Sequence, residues 1–332
     1  MLSILTVLIN FIIGSFLIIF GVNALGKTLE RAGSKLLDRV MSAFAKNRWT
    51  AFLAGIFTTG LVQSSTAVTI ITIGFVDAGR MALQSAVTVV FGANIGTTVT
   101  AQLMSFNISQ YAWYILIAGC VFAFGLIPKL EAAGRVVMSV GLLFSGLNIL
   151  GQSIDLINGN PAISTWLMDH ANSVPLCLLF GIMVTMLVQS SSATVGMTIL
   201  LFGSGLMPLE SAIALTLGDN IGTCITAQVA SLKSGLNGRR TAWAHTLYNV
   251  IGVAIAIALL PQFCVAVQWF TVKLMHQDSS RLVANTHTLF NVLSAAVFLP
   301  LTRQYTRFIE WAVPERHVSR GKRRQSGIRR AA

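Results

Sequence analysis

Apolar runs near twenty residues recur along the chain, the length at which a helix crosses the hydrocarbon of a bilayer. Leu2–Leu25 reads as the first crossing. Lys27, Arg31, Lys35 and Arg39 then recur every four residues, which predicts an amphipathic stretch over Lys27–Arg48 at the interface. Thr50–Gly79 is apolar but interrupted by Gly60 and by Gln63-Ser64-Ser65. It is too long for one simple crossing and predicts a re-entrant hairpin with those polar residues at its tip. Met81–Met104 predicts a crossing broken at Gly92-Ala93-Asn94-Ile95-Gly96, and Tyr111–Ile127 one ended by Pro128.

The same order then returns. LVQSSTA at Leu61–Ala67 reappears as LVQSSSA at Leu187–Ala193, and GANIGTTVTAQ at Gly92–Gln102 as GDNIGTCITAQ at Gly218–Gln228. Both offsets are equal, since 189 − 63 and 218 − 92 give 126. Roughly half the residues from Leu61 to Gln102 match their partners without a gap, the mark of an internal repeat. Arg135–Leu150 reads as a crossing whose Gly146–Gly151 echoes Gly21–Gly26, and Gln152–Asn172 as the interfacial stretch. Val174–Gly205 is the second hairpin, Met207–Ala230 the second broken crossing and Thr241–Leu260 the last crossing of the repeat. An amphipathic segment near Phe263–Met275 and a crossing at Leu282–Leu301 follow. The expected fold is an all-α polytopic membrane protein with two inverted-topology repeats, each holding a re-entrant QSS hairpin and a broken transmembrane helix. The expected divisions are 1–127 and 128–260 for the repeats, 261–301 for the added segment and 302–332 for a basic cytoplasmic tail.

Charge supports inversion. Three full crossings per repeat flip the second copy. With the N-terminus outside, 21 of the 23 Lys and Arg fall in segments facing the cytoplasm; Lys273 and Arg281 do not. Gln152–Asn172 carries Asp155 and Asp169 and no basic residue, opposite to its partner stretch. Trp49, Trp113, Trp166 and Trp243 lie near expected span ends, where interfacial anchors sit.

Composition agrees: mean hydropathy is +0.73 and only 10% of residues are charged, against about 25% in soluble domains. The net charge of +12 belongs with topology rather than nucleic acid, and the basic tail is expected to meet anionic lipid headgroups. Leu2–Leu25 lacks a basic n-region and a cleavage motif, so it is expected to be a retained span. Cys120, Cys177, Cys224 and Cys264 are far apart in apolar settings and read as fillers, with no metal spacing.

Amides and hydroxyls within apolar sequence are costly unless something polar lies between them. Gln63, Ser64, Ser65 and Thr66, with Gln189, Ser190, Ser191 and Ser192, offer such groups next to helix N-termini that cradle anions. Asn94, Thr97, Thr98 and Thr100, with Asn220, Thr223 and Thr226, are hard neutral ligands suited to Na⁺. Asp219 is a carboxylate expected at membrane depth, where its partner position holds Ala93. His245 and Asn249 resemble His287 and Asn291 in spacing, which suits interhelical hydrogen bonding, with proton coupling or gating as the other reading. No catalytic triad, paired catalytic carboxylates or phosphate-gripping P-loop is present in the sequence, so an enzyme is not expected.

Paired QSS hairpins, each followed by G-x-N-I-G-T, resemble the type II sodium–phosphate cotransporter family over about Leu2 to Leu301. The resemblance implies Na⁺-coupled movement of inorganic phosphate in a bacterial inner membrane. It implies Gln63, Ser64, Ser65, Gln189, Ser190 and Ser191 at phosphate. It implies Thr66, Asn94, Thr97, Ser192, Asp219, Asn220 and Thr223 at Na⁺. No cofactor beyond Na⁺ is expected; self-association and the direction of net flux are open. Many bacterial relatives append a PhoU-like helical domain, where this sequence has a short basic tail. The alternatives are transport of another small anion, such as sulfate or a carboxylate, and a non-transporting membrane scaffold or sensor.

Overall fold

The computed structural model describes residues 2–44, 47–124 and 128–315. Among them there are fifteen α-helices, a π-helical turn, three short 3₁₀ turns and no strand. Four helices are long and apolar enough to cross a membrane: Ile4–Gly33, Leu83–Met104, Glu131–Asn158 and Leu236–Ala258. Two bent pairs bring the number to six if each is one span.

The first helix departs from the expected break. α1 runs unbroken over Leu2–Phe44, so the crossing and the charged stretch are one rod. Its partner stretch does break: α6 (Glu131–Asn158) stops, and Asn160 caps α7 (Pro161–Ala171) by accepting from the Ala162 N–H at 3.2 Å. A cap followed by proline at the first helical position starts a new helix. No Asn-Pro pair exists between Lys27 and Arg48, and the helix continues.

α1 and α6 cross antiparallel at small residues. A Cβ at Gly14 would lie 2.9 Å from the Gly146 carbonyl oxygen, and one at Gly21 would lie 2.8 Å from that of Ser139. Adding 125, the offset of the two glycine-asparagine echoes, to 14 and 21 gives 139 and 146. The contact is therefore reciprocal, as across a two-fold axis. Ile18, Val22, Leu143, Phe144 and Leu147 surround it in one core cluster.

Each predicted hairpin is a helix-turn-helix: α2 (Arg48–Val62) and α3 (Ser65–Asp77), then α8 (Val174–Val188) and α9 (Ser191–Gly203). Both returning helices end at a glycine of positive φ, Gly79 at +68° and Gly205 at +76°. This left-handed position closes a helix C-terminus without a Cβ penalty.

α4 (Leu83–Met104) is continuous, against the expected break at Gly92–Gly96. The glycines serve packing instead. Cβ atoms at Gly92 and Gly96 would run into the backbone of Phe52 and Ile56 on α2. The same contact recurs 126 residues on, where Gly218 and Gly222 of α10 (Leu209–Gly222) meet Leu178 and Ile182 of α8. The second copy is interrupted only at Thr223, whose backbone stays right-handed helical before α11 (Cys224–Ser231).

α5 (Ala112–Phe124) lies against α6, and the expected end of its crossing at 125–127 lies outside the described residues. α12 (Leu236–Ala258) begins where Asp77, the last residue of α3, accepts from the N–H groups of Gly235 and Gly238 at 3.1 and 3.0 Å. The segment expected near Phe263–Met275 is α13 (Leu260–Gln268) with a π-helical turn over Trp269–Leu274. α14 (Leu282–Phe298) ends earlier than expected, and 302–312 is not simple tail: α15 (Thr302–Ala312) turns away and packs on α4 and α12. Tyr305 and Ile309 drive this, sharing a core cluster with Phe91 and Tyr248. The remaining expected tail, residues 316–332, lies outside the described residues.

Candidate functional site

The two QSS turns have the same backbone. Gln63 (φ 58°, ψ 23°) and Gln189 (φ 53°, ψ 30°) end α2 and α8 in the left-handed region. Ser64 and Ser190 follow in extended conformation and cap the next helix, their hydroxyls accepting from the Ala67 and Ala193 N–H groups at 3.1 and 3.4 Å. The left-handed region costs a residue with a Cβ roughly 1–2 kcal/mol. Three described non-glycine residues adopt positive φ, and the duplicated glutamines are two of them. The same strained conformation is thus retained at both equivalent polar positions.

The turns differ in surroundings. Gln63 and Ser65 are buried, Gln189 is exposed, and Ser191 is half-buried. The Gln63 carboxamide is held at both ends: its Nε2 donates to the Gly60 carbonyl and its Oε1 accepts from Thr100 Oγ1 of α4. Thr66 is half-buried beside it and Ser192 is buried in the second turn. No hydrogen bond joins the two turns directly among the described residues.

Asp219 is enclosed completely on α10. Its Oδ1 accepts from Thr185 Oγ1 at 3.4 Å, and Thr185 Oγ1 lies 2.8 Å from Thr194 Oγ1. Thr185 is four residues before Gln189 and Thr194 four residues after Ser190, so the carboxylate is tied to both arms of the second turn. Asp219 Oδ2 has no partner among the described residues. A buried polar atom left unpaired is costly. The equivalent positions 59, 68 and 93 hold Thr59, Val68 and Ala93, so the first turn has no such carboxylate.

Around these, neutral oxygens converge from other helices. Asn94 Oδ1 faces His245 Nε2 of α12 at 3.4 Å, and Asn220 Oδ1 accepts from Asn291 Nδ2 of α14 at 3.4 Å. The duplicated glutamines do the same one helical face away: Gln102 donates to Thr288 Oγ1 at 2.9 Å and Gln228 to Thr246 Oγ1 at 2.6 Å. The His-Thr-Leu-x-Asn segments of α12 and α14 therefore hold equivalent places against α10–α11 and α4. This sets α14, rather than α5, beside α12 as its match.

Several expected ligands turn to their own helices. Thr97 donates to the Ala93 carbonyl at 3.0 Å, Thr98 to Ile95 at 2.8 Å and Thr223 to Asn220 at 2.9 Å. With α4 unbroken, no unwound carbonyls stand beside Asn94 and Thr97. Thr185 and Thr194 join the Asp219 cluster only in the structure. The signal for Thr185 was its match to Thr59 at the repeat offset; Thr194, opposite Val68, gave none.

A chain whose described residues fold as helices, four of them long and apolar enough to cross a membrane, is consistent with a polytopic membrane protein. The chain belongs to the Na⁺/Pi-cotransporter family, whose model matches residues 17–152 and again 157–290, with one QSS turn in each match. It is 32% identical over 258 residues to the uncharacterized protein YqeW of Bacillus subtilis (strain 168), covering 76% of this chain and 83% of that one. It is 27% identical over 251 residues to YjbB of Escherichia coli O157:H7, which carries a provisional name as an inorganic phosphate export protein; this covers 75% of this chain and 46% of YjbB. It is 33% identical over 138 residues to the human sodium-dependent phosphate transport protein 2B, covering 40% of this chain and 20% of that protein. No solved structure matches. Family membership supports transport of phosphate across a membrane.

Proposed function

We propose that this protein is a Na⁺-coupled transporter of inorganic phosphate that works by alternating access between inverted repeats. The observation that carries the reading is the identity of the two QSS turns: a left-handed glutamine, a capping serine and a fresh helix N-terminus, repeated 126 residues apart. Two such N-termini with small hydroxyl side chains suit an oxyanion that must shed water without a Lys or Arg side chain to meet it. Gln63, Ser64, Ser65, Gln189, Ser190 and Ser191 are the proposed phosphate contacts.

Na⁺ supplies the balancing charge. The unpaired Oδ2 of Asp219 fits a hard cation, with Asn220 beside it in sequence. Thr66, Asn94, Thr97, Ser192 and Thr223 complete the proposed set; Thr97 and Thr223 donate to their helix carbonyls and keep oxygen lone pairs for a cation. The α2–α3 and α8–α9 hairpins are proposed to be re-entrant and to move against the α1–α6 crossing, whose reciprocal contact suits a two-fold scaffold. The difference in exposure between Gln63 and Gln189 suits a state in which one turn is covered and the other open. The proposed setting is a bacterial inner membrane with the N-terminus outside and the C-terminus cytoplasmic.

The test is uptake of radiolabelled phosphate into proteoliposomes by Ser65→Ala and Ser191→Ala variants. Both lose Na⁺-dependent uptake while eluting as folded protein; uptake at the wild-type rate refutes the assignment.

A further inference from the structure

α15 leaves α14 at 88° and lies across the start of α12. It is pinned there by two residues. Tyr305 donates its hydroxyl to the Ala244 carbonyl at 2.7 Å. Arg240 Nε donates to the Val313 carbonyl at 3.0 Å, its Nη2 to that of Glu310 at 3.5 Å and its Nη1 to Asn237 Oδ1 at 3.2 Å. A guanidinium on the last carbonyls is a favourable helix C-terminus. Between the two helices remains a cleft of about 590 Å³. Trp243, Leu247, Phe308 and Val313 form its walls, with Arg239 the one charged residue lining it among the described residues.

Arg239 differs from its neighbour. It lines the cleft, and its guanidinium has no hydrogen-bond or ion-pair partner among the described residues, beside an Arg240 whose guanidinium is committed to α15. A cation facing an apolar cleft favours an anion, and a phosphate oxygen matches a guanidinium in charge and geometry. The walls select further: a free oxyanion has no use for indole, phenyl and leucine surface. A basic peptide is disfavoured by charge. Trp243 and Phe308 are partly exposed at the rim, and Trp311, Arg303 and Arg307 stand exposed on the same helix, a grouping typical of headgroup depth.

We propose that this cleft binds one anionic phospholipid, its phosphodiester on Arg239 and an acyl chain along Trp243, Leu247 and Phe308. The lipid braces α15 against α12. Tyr248 stacks on Phe91 of α4 at 4.6 Å and Tyr305 packs tilted against it at 5.7 Å, so the brace reaches the helix that carries Asn94 and Thr100.

Native mass spectrometry of the full-length protein, titrated with phosphatidylglycerol or phosphatidylcholine, tests this. Wild type retains one phosphatidylglycerol in preference to phosphatidylcholine, and added inorganic phosphate does not displace it. Arg239→Gln weakens retention about fivefold, the worth of one basic residue at the headgroup, while Arg239→Lys restores part of it. Arg303→Gln, on the exposed side of α15, leaves it unchanged. Equal retention of the two lipids, displacement by inorganic phosphate, or equal loss in the Arg239 and Arg303 variants overturns the proposal. Amide exchange on wild type guards against a misfolded variant: phosphatidylglycerol slows exchange over residues 305–313, and no slowing contradicts the site.

Discussion

Thr100 of α4 donates its hydroxyl to the carboxamide oxygen of Gln63, at the C-terminal end of α2. The residues are 37 apart in sequence, and the bond fixes which face of the glutamine is presented beside Ser64 and Ser65. Thr100→Val removes the donor and leaves a buried acceptor unpaired, a cost of about 1–3 kcal/mol. Phosphate flux at subsaturating phosphate should fall roughly tenfold, since ~1.4 kcal/mol is a factor of ten. Thr100→Ser keeps the hydroxyl and should stay near wild type. Initial rates in proteoliposomes check both.

The glutamine turns separate stability from transport. Gln189→Gly relieves a left-handed residue that costs about 1–2 kcal/mol, and the exposed Gln189 side chain has no described bond to lose. The variant should melt at or above the wild-type temperature in detergent yet transport poorly. A variant that is more stable and fully active would show that the side chain has no role at the turn.

Asp219 is the proposed cation ligand. Asp219→Asn keeps the size and the bond from Thr185 but removes the charge that faces no partner through Oδ2. The Na⁺ concentration for half-maximal phosphate uptake should rise about tenfold or more, the effect of losing ~1.4 kcal/mol of cation binding. A Na⁺ titration of initial rate reads this directly, and an unmoved midpoint places the cation elsewhere.

The helix contacts make a prediction about glycines. A methyl at Gly55 or Gly181 would run into the carbonyl oxygens of Val89 or Leu215, so Gly→Ala at either should destabilise by about 1–3 kcal/mol. Gly74 is the control: a Cβ there meets nothing within 4 Å, and Gly74→Ala on α3 should hold or raise stability by up to ~1 kcal/mol. Thermal unfolding in one detergent compares the three.

What the sequence made legible follows from what it repeats. The turns at Gln63 and Gln189 were visible because an amide and two serines inside apolar runs have no bland explanation when they occur twice. The glycines of Gly92–Gly96 misled because a helix break and a close helix contact both call for a residue without a side chain. Only the position of α2 separates the two, and that is a tertiary fact. The continuation of α1 to Phe44 was hidden for a related reason: a change from apolar to charged residues alters the surroundings of a helix without ending it. α15 escaped notice because its basic and polar residues outweigh Tyr305, Phe308, Ile309 and Trp311 in composition, while their spacing puts Tyr305 and Ile309 on one buried face. The match of α14 to α12 was present in the His-Thr-Leu-x-Asn echo, but its meaning needed the Gln102–Thr288 and Gln228–Thr246 bonds.

The central claim is that phosphate crosses with Na⁺ through the paired turns. Phosphate flux in vesicles reconstituted with purified protein, with and without an imposed Na⁺ gradient, tests it most directly. Accumulation should require the Na⁺ gradient, collapse when K⁺ replaces Na⁺, and vanish in the Ser65→Ala, Ser191→Ala double variant. Phosphate movement that ignores Na⁺, or that survives loss of both serines, would contradict it.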